Sequence, residues 1–100
     1  MARSKYYPMG FDIRLKDGRE LEVFLSGRNR WGLEQLIEAG RTGITSFQYA
    51  GVRVSALVLN LKEMGIAIDK QTERHGGLFE GNHARYRLDC FVQPKGGRLL

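Results

Sequence analysis

One strongly alternating segment constrains what this chain can fold into. Residues 11–25, FDIRLKDGRELEVFL, alternate apolar and polar side chains on both sides of the turn 16–18, which predicts a β-hairpin. A two-residue loop would mix the faces of the two strands. A three-residue loop with a left-handed Gly18 in a bulge instead pairs Ile13 with Leu21 and makes one face apolar. Because a lone hairpin is marginal in water, this face must pack on the rest of the chain.

After the hairpin, the apolar period lengthens to that of α-helices. The pattern predicts a first helix with Asn29 as its N-cap and Gly40 as its stop. Residues 45–48 have the spacing of a capping box and predict a short second helix that ends before Gly51. A third helix ends at Gly65. Its predicted apolar face comprises Val54, Leu57, Val58, Leu61 and Met64.

The last third of the chain predicts two strands. Residues 66–73 and 83–93 have strand patterns, and residues 74–82 between them hold three glycines, which predicts a long flexible loop. Three helices followed by a hairpin with a glycine-rich tip is the layout of a winged helix-turn-helix. The predicted fold class is therefore α+β, a winged helix-turn-helix of three helices plus a C-terminal β-hairpin wing, with an additional N-terminal β-hairpin.

The chain is long enough for one core and too short for two, because it has 100 residues. We expect a flexible basic N-terminus, one winged-helix domain and a flexible tail. Their predicted ranges are 1–10, 11–93 and 94–100, the domain comprising the N-terminal hairpin 11–25, the helices 29–65 and the wing hairpin 66–93.

Several function classes are excluded by composition and motif content. The sequence has no apolar run of the roughly 20 residues that a membrane span needs, and no secretory signal. Cys90 is the single cysteine, which favours a cytoplasmic location and precludes a cysteine-rich zinc site. No nucleophile–base pair or phosphate-binding loop is present, so we expect neither an enzyme nor a cofactor. His75 and His83 flank one loop, but two histidines alone make an incomplete metal site, so no metal is expected.

The charge balance points to a polyanionic partner. Sixteen Lys and Arg against eleven Asp and Glu give a net charge of +5. The excess lies at the two ends of the chain, and residues 31–65 carry three charges of each sign. This neutral middle, which includes the third helix, keeps a protein-binding alternative open.

Three stretches of sequence resemble a known family. They are WGLEQLIEAGRTGIT from residue 31, RVSALVLNLKEMGIAID from residue 53 and HGGLFEGNHARYRL from residue 75. Together they are similar to a small winged-helix domain family of alphaproteobacteria and their phages, over about residues 30–92. Val54 stands where that family usually has an aromatic residue. The resemblance implies the winged-helix fold, and it implies DNA binding less directly.

The third helix is the first candidate for contacting DNA bases. Arg53 near its start can contact guanine O6 and N7, and Asn60 can make a bidentate contact with adenine. Ser55 and Ala56 are small enough to let the backbone approach a groove, and Lys62 adds positive charge.

The base of the wing is the second candidate. In the last strand Arg85 and Arg87 alternate with apolar residues, so we expect both to point outward beside Arg74 and His75. Such a cationic surface suits contacts with DNA phosphates. Leu78 and Phe79, at the predicted tip, are candidate wedges for a minor groove.

These features predict a protein that binds double-stranded DNA, as a small transcriptional regulator of phage or bacterial genes. A homodimer or a protein partner stays open, and no membrane association is expected. One alternative is a winged helix that docks on another protein through Leu59 and the neutral helix face. The other is an assembly component that makes contact through the N-terminal hairpin.

Overall fold

Six strands and two helices follow one another along the residues that the computed structural model describes, 6–49, 51–76 and 81–95. In chain order they are β1 (Met9–Leu15), β2 (Glu20–Leu25), α1 (Gly27–Ala39), β3 (Ile44–Thr45), α2 (Val54–Glu63), β4 (Ile68–His75), β5 (Gly81–Leu88) and β6 (Cys90–Pro94). A 3₁₀ turn, Gly40–Thr42, follows α1. The strands form two antiparallel sheets, ordered β2-β1-β6 and β3-β5-β4.

The N-terminal hairpin has the predicted register. Ile13 pairs with Leu21, and the turn is a three-residue loop in which Gly18 has a φ of 94°. Two backbone hydrogen bonds close it, from Gly18 N to Leu15 O at 2.9 Å and from Leu15 N to Arg19 O at 2.8 Å. The prediction of the bulged turn is confirmed, because this register puts Phe11, Ile13, Val23 and Leu25 together on one buried face, while Phe24 lies exposed on the other.

The two sheets are joined at Asp89, the single residue between β5 and β6. The Asp89 N–H donates to the carbonyl of Ala67 at 2.9 Å instead of to a neighbouring strand. The C-terminal strand therefore leaves the β3-β5-β4 sheet at Leu88 and enters the β2-β1-β6 sheet at Cys90. This single crossing makes the N-terminal hairpin part of the same body as the helices.

One continuous core fills the space between the sheets and the helices. It joins side chains from both sheets and from both helices in a single cluster. Its members are Phe11, Ile13, Val23, Leu25, Leu33, Leu36, Ile44, Val54, Val58, Leu61, Ile66, Ile68, Ala84 and Tyr86. Burial of this apolar area is the main favourable contribution to folding.

Among the described residues the predicted second helix is absent and two helices are present, so the prediction of three helices is wrong, although the mixed α+β class is confirmed. Residues 46–49 form turns, and Gln48 does accept the capping-type hydrogen bond from Thr45 N at 3.1 Å. Ser46, however, donates its N–H to Ala84 O and accepts the Ala84 N–H on its hydroxyl. Pairing with β5 thus competes with the local helical hydrogen bonds and prevails.

Both remaining helices differ from prediction at one end. α1 begins at Gly27 with Ser26 as N-cap, three residues before the predicted cap at Asn29, because Gly27 has a φ of 56° and turns the chain straight out of β2. Gly40 ends α1 as predicted, and Gly65 follows α2 with a φ of 99°. Met64 is 40% exposed, so its predicted place in the apolar face is wrong.

The wing strands are shifted relative to prediction. β4 runs two residues later than predicted, and β5 begins at Gly81, so that His75 pairs with Gly81 and Arg74 with Asn82. The prediction of one strand over residues 83–93 is wrong, because the wing strand ends at Leu88 and the rest of that segment forms β6 in the other sheet. The predicted nine-residue loop is therefore shorter, because part of it is paired strand. Its tip, including Leu78 and Phe79, lies outside the described residues, as do residues 1–5 and 96–100.

Two glycines have positive φ but different surroundings. Replacing each by alanine therefore separates the cost of backbone strain from the cost of a steric clash. Gly18 has open space around it, whereas a Cβ on Gly43, at φ 72°, would collide with the carbonyl oxygen of Tyr86. We expect Gly18→Ala to destabilise the fold by about 1 kcal/mol, since a side chain disfavours this conformation. Gly43→Ala should lower the thermal midpoint of unfolding more than Gly18→Ala does, because it adds a steric clash to the backbone strain. Equal midpoints for the two variants would show that the approach of Gly43 to β5 is not close.

Candidate nucleic-acid interface

The solvent-facing side of α2 carries most of the residues predicted to contact bases. Val54, Leu57, Val58 and Leu61 are buried, which leaves the other side of the helix exposed. Ser55, Asn60 and Lys62 are exposed as predicted, whereas Ala56 is half-buried. Leu59 also lies on this side and is 56% exposed.

Arg53 lies at the start of this helix. It is the N-cap residue, with φ −85° and ψ 89°, and its carbonyl accepts the Leu57 N–H at 3.1 Å. Its side chain is exposed, and the first turn of α2 contains no acidic residue. The guanidinium is therefore presented to solvent at the end of the helix where the backbone N–H groups favour anions.

The wing has two faces with different surroundings, and its register decides which residue lies on which. Side chains that pair across β4 and β5 share a face. One face holds Ile68, Ala84 and Tyr86, which belong to the same core cluster as Val54 and Leu61 of α2. We call this the helix side, and the opposite face of the wing the outer side.

Arg85 and Arg87 lie on the outer side, where both guanidinium groups are already held by the protein. Arg85 donates to Thr42 O at 2.9 Å and to a Glu73 carboxylate oxygen at 2.7 Å. Arg87 donates to Arg41 O at 2.6 Å and to the Gln71 side chain at 2.7 Å.

Two of these hydrogen bonds satisfy backbone carbonyls in the turn that follows α1. Arg41 and Thr42 belong to the turn that follows α1, where backbone carbonyls lack helical partners. The two arginines supply the missing donors and join this turn to the wing. The hydrogen bond from Arg85 lowers the pKa of Glu73 below its ordinary value.

The predicted group of four wing residues is divided between the two faces. His75 is on the outer side with Arg85 and Arg87, and it is half-buried against His83 and Phe47. Arg74 lies on the helix side, because it pairs with Asn82, two residues along the strand from buried Ala84. The expectation of one compact cationic surface is therefore wrong.

The neighbours of Arg74 on the helix side were not predicted from the sequence. Lys70 and Thr72 are exposed on the same face, at intervals of two residues from Ile68 to Arg74. The sequence shows the alternation, but it does not show which of the two alternating sets of side chains lies on the helix side. That assignment requires knowing that Ile68 faces the core.

Six Lys and Arg side chains in residues 6–49, 51–76 and 81–95 are exposed with neither an ion pair nor a side-chain hydrogen bond. They are Arg28, Arg41, Arg53, Lys62, Lys70 and Arg74. Two of these lie on α1 and the turn after it. The other four lie on α2, at its start or on the helix side of the wing, with Glu63 as the acidic residue on the exposed side of α2.

A comparison with known families identifies the arrangement. A family model described as a winged helix domain matches residues 22–98, more than three quarters of the chain. The chain belongs to this family. The match starts within β2, so β1 lies before the part of the chain that the winged helix domain model covers. No curated protein and no solved structure matches the chain.

In the described part of the winged helix domain, no three His, Cys, Asp or Glu side chains are grouped so as to hold a metal ion. Cys90 is half-buried with its thiol 3.5 Å from Ala67 O, and burial raises the pKa of the thiol. Within the same residues, neither helix is long and apolar enough to cross a membrane.

The bonds of Arg85 and Arg87 predict a role in stability. Arg87→Ala removes the donor to Arg41 O, and Arg85→Ala also removes the partner of Glu73. We expect each substitution to lower the free energy of unfolding by about 1–2 kcal/mol. Urea denaturation measures this, with Arg74→Ala on the helix side as the control that should unfold like the wild type. An unchanged free energy for both Arg85→Ala and Arg87→Ala would show that their bonds contribute nothing to the fold.

Proposed function

We propose that this winged helix domain binds double-stranded DNA as a small cytoplasmic transcriptional regulator of phage or bacterial genes, without catalysis or a cofactor. The winged helix is a fold that generally binds DNA. The observation that carries the proposal is the group of unpaired cations on α2 and the helix side of the wing: Arg53, Lys62, Lys70 and Arg74. We call these four residues the cationic group.

One other part of the described surface, the β2-β1-β6 sheet, supports the proposal by contrast. On the β2-β1-β6 sheet, Arg14 pairs with Glu20, and Lys95 pairs with Asp12 and Glu22. Such pairs neutralise the surface on which they lie. The cationic group has no such partners in the described residues, so its charge is available to displace the counterions of DNA phosphates.

Two residues of the α2 surface have side chains suited to base contacts. Arg53 and Asn60 are seven positions apart, which corresponds to about 10 Å along a helix and to about three base pairs. Both lie on one side of α2 because seven residues make about two turns. Arg53 suits guanine and Asn60 suits adenine, so the pair can contact one half-site in the major groove.

Docking on another protein is the second candidate, and Leu59 is the observation that favours it. This leucine is 56% exposed in the middle of the helix that would enter the groove. Glu63 lies one turn further along and faces solvent too. An exposed leucine beside a carboxylate suits a protein surface better than a phosphate backbone.

Selection of binding sites from a random duplex library separates the two candidates. DNA regulation predicts an enriched motif, and Arg53→Ala or Asn60→Ala should reduce the preference for that motif over random duplex by about 1–3 kcal/mol. Neither variant should change the thermal midpoint, because both side chains are exposed.

Protein docking predicts the opposite pattern in the same experiment. No motif emerges, and Leu59→Asp, rather than Arg53→Ala, abolishes partner binding.

Lys16→Ala is the matched control for the DNA-binding measurements, since Lys16 lies in the N-terminal hairpin and pairs with Asp89. A loss of preference in Lys16→Ala as large as that in Arg53→Ala would remove α2 from the interface.

The helix side of the wing should contact DNA without sequence preference. Lys70→Ala combined with Arg74→Ala should weaken binding to specific and random duplexes by the same factor, because phosphates carry no sequence information. Fluorescence anisotropy on both duplexes measures the two factors. Arg14→Ala on the paired β2-β1-β6 sheet should leave both unchanged. If the double variant binds both duplexes like the wild type, the wing does not contact DNA.

A further inference from the structure

A cluster on the outer side of the wing takes no part in the proposed DNA contacts. His75 ends β4 and His83 lies on β5, and their Nδ1 atoms are 3.1 Å apart. His83 Nε2 is 2.9 Å from a carboxylate oxygen of Glu73. The ring of Phe47 covers both imidazoles edge-on, with ring centroids 5.5 Å from His75 and 4.8 Å from His83.

The hydrogen bonds decide where the lone pairs lie. A carboxylate only accepts, so the Nε2 atom of His83 carries a proton and donates it to Glu73. In a neutral His83, the Nδ1 atom therefore presents a lone pair towards Nδ1 of His75. Either a proton on His75 or a cation must lie between the two nitrogens, because two lone pairs repel each other.

The spacing of the two nitrogens suits a transition-metal ion. With metal–nitrogen bonds of about 2.05 Å, two ligands are about 2.9 Å apart at a right angle and about 3.3 Å apart at the tetrahedral angle. The observed 3.1 Å lies between these values.

We propose that Nδ1 of His75 and Nδ1 of His83 bind one divalent transition-metal ion of the Zn²⁺, Ni²⁺ or Cu²⁺ type, with water completing its coordination. Imidazole nitrogen selects these ions over Mg²⁺ and Ca²⁺. The ion cross-links β4 to β5 near the end of the wing. The small number of histidines made a metal site unexpected from the sequence, which does not show that the two Nδ1 atoms lie 3.1 Å apart.

The surroundings of the pair are those of a supported ligand set. A carboxylate on the far nitrogen of a ligating histidine fixes its ring and raises its basicity, and Glu73 occupies this position on His83. Glu73 is itself held by Arg85, which is anchored to Thr42 O. Gly81, opposite His75, leaves room for the ring, since a Cβ there would lie 3.2 Å from Nε2 of His75.

Titration of the untagged full chain with ZnCl₂, followed by NMR, tests the site directly. The chain has two histidines, so both imidazole signals belong to this site. We expect the two signals to shift together and to saturate at one Zn²⁺ per chain, while MgCl₂ leaves them unchanged. Glu73→Gln should weaken Zn²⁺ binding about 10–100-fold. Arg74→Ala, on the other face of the wing, should bind Zn²⁺ like the wild type.

Calorimetric titration of His75→Ala and His83→Ala gives a second measurement. Both variants should lose Zn²⁺ binding, with circular dichroism confirming that each is folded. Imidazole signals of the wild type that do not respond to stoichiometric Zn²⁺ would overturn the proposal, and this outcome does not depend on any variant folding. A shift of only one of the two signals would overturn it too. The result is independent of DNA binding, because no DNA is present.

Discussion

The hydrogen bonds from Arg85 and Arg87 to the end of α1 determine which cations of this winged helix domain are held by the protein itself and which stay unpaired. The carbonyls of Arg41 and Thr42 need donors, and Arg87 and Arg85 on β5 provide them. The same bonds hold the end of α1 against the wing, so the positions of the helices and of the sheet are coupled. Together with the bonds to Glu73 and Gln71 they hold both guanidinium groups in place, which leaves the proposed DNA contacts to other cations.

The wing consequently has two chemically different faces. On the outer side, Glu73 balances Arg85 and contacts His83, which makes this face a packed polar network. On the helix side, Lys70 and Arg74 have no acidic partner among the described residues. The proposed DNA surface and the proposed metal site thus lie on opposite faces of one hairpin, and each can be altered without the other.

Local patterns predicted those parts of the fold that depend on neighbouring residues. The hairpin register followed from Gly18 and the alternation around it, and the buried side of α2 followed from its helical period. The short helix expected between the capping box at residues 45–48 and Gly51 does not form because Ser46 pairs with Ala84, 38 positions away, and nothing local indicates this partner. The family assignment over residues 22–98 supports the predicted winged-helix domain, and the specific regulatory role stays a proposal.

The candidate site was predicted less completely than the fold, for a related reason. Exposure of Arg53 and Asn60 required only the helical period, so both were placed correctly on the surface. Arg85 donates hydrogen bonds to the carboxylate of Glu73 and to the carbonyl of Thr42, 43 positions away. Strand alternation alone does not reveal either acceptor. Lys70 was missed because β4 is a polar edge strand, and its register with β5 decides which of its side chains lie on the helix side.

The salt dependence of binding to a random DNA duplex tests whether the cationic group contacts DNA phosphates. If the four members of the cationic group each neutralise one phosphate, the logarithm of the association constant should fall against the logarithm of salt concentration with a slope of about −3 to −4. Fluorescence anisotropy with the wild-type chain between low and physiological salt measures this slope. A slope near zero, or no binding at low micromolar concentration, would contradict the assignment of this surface to DNA.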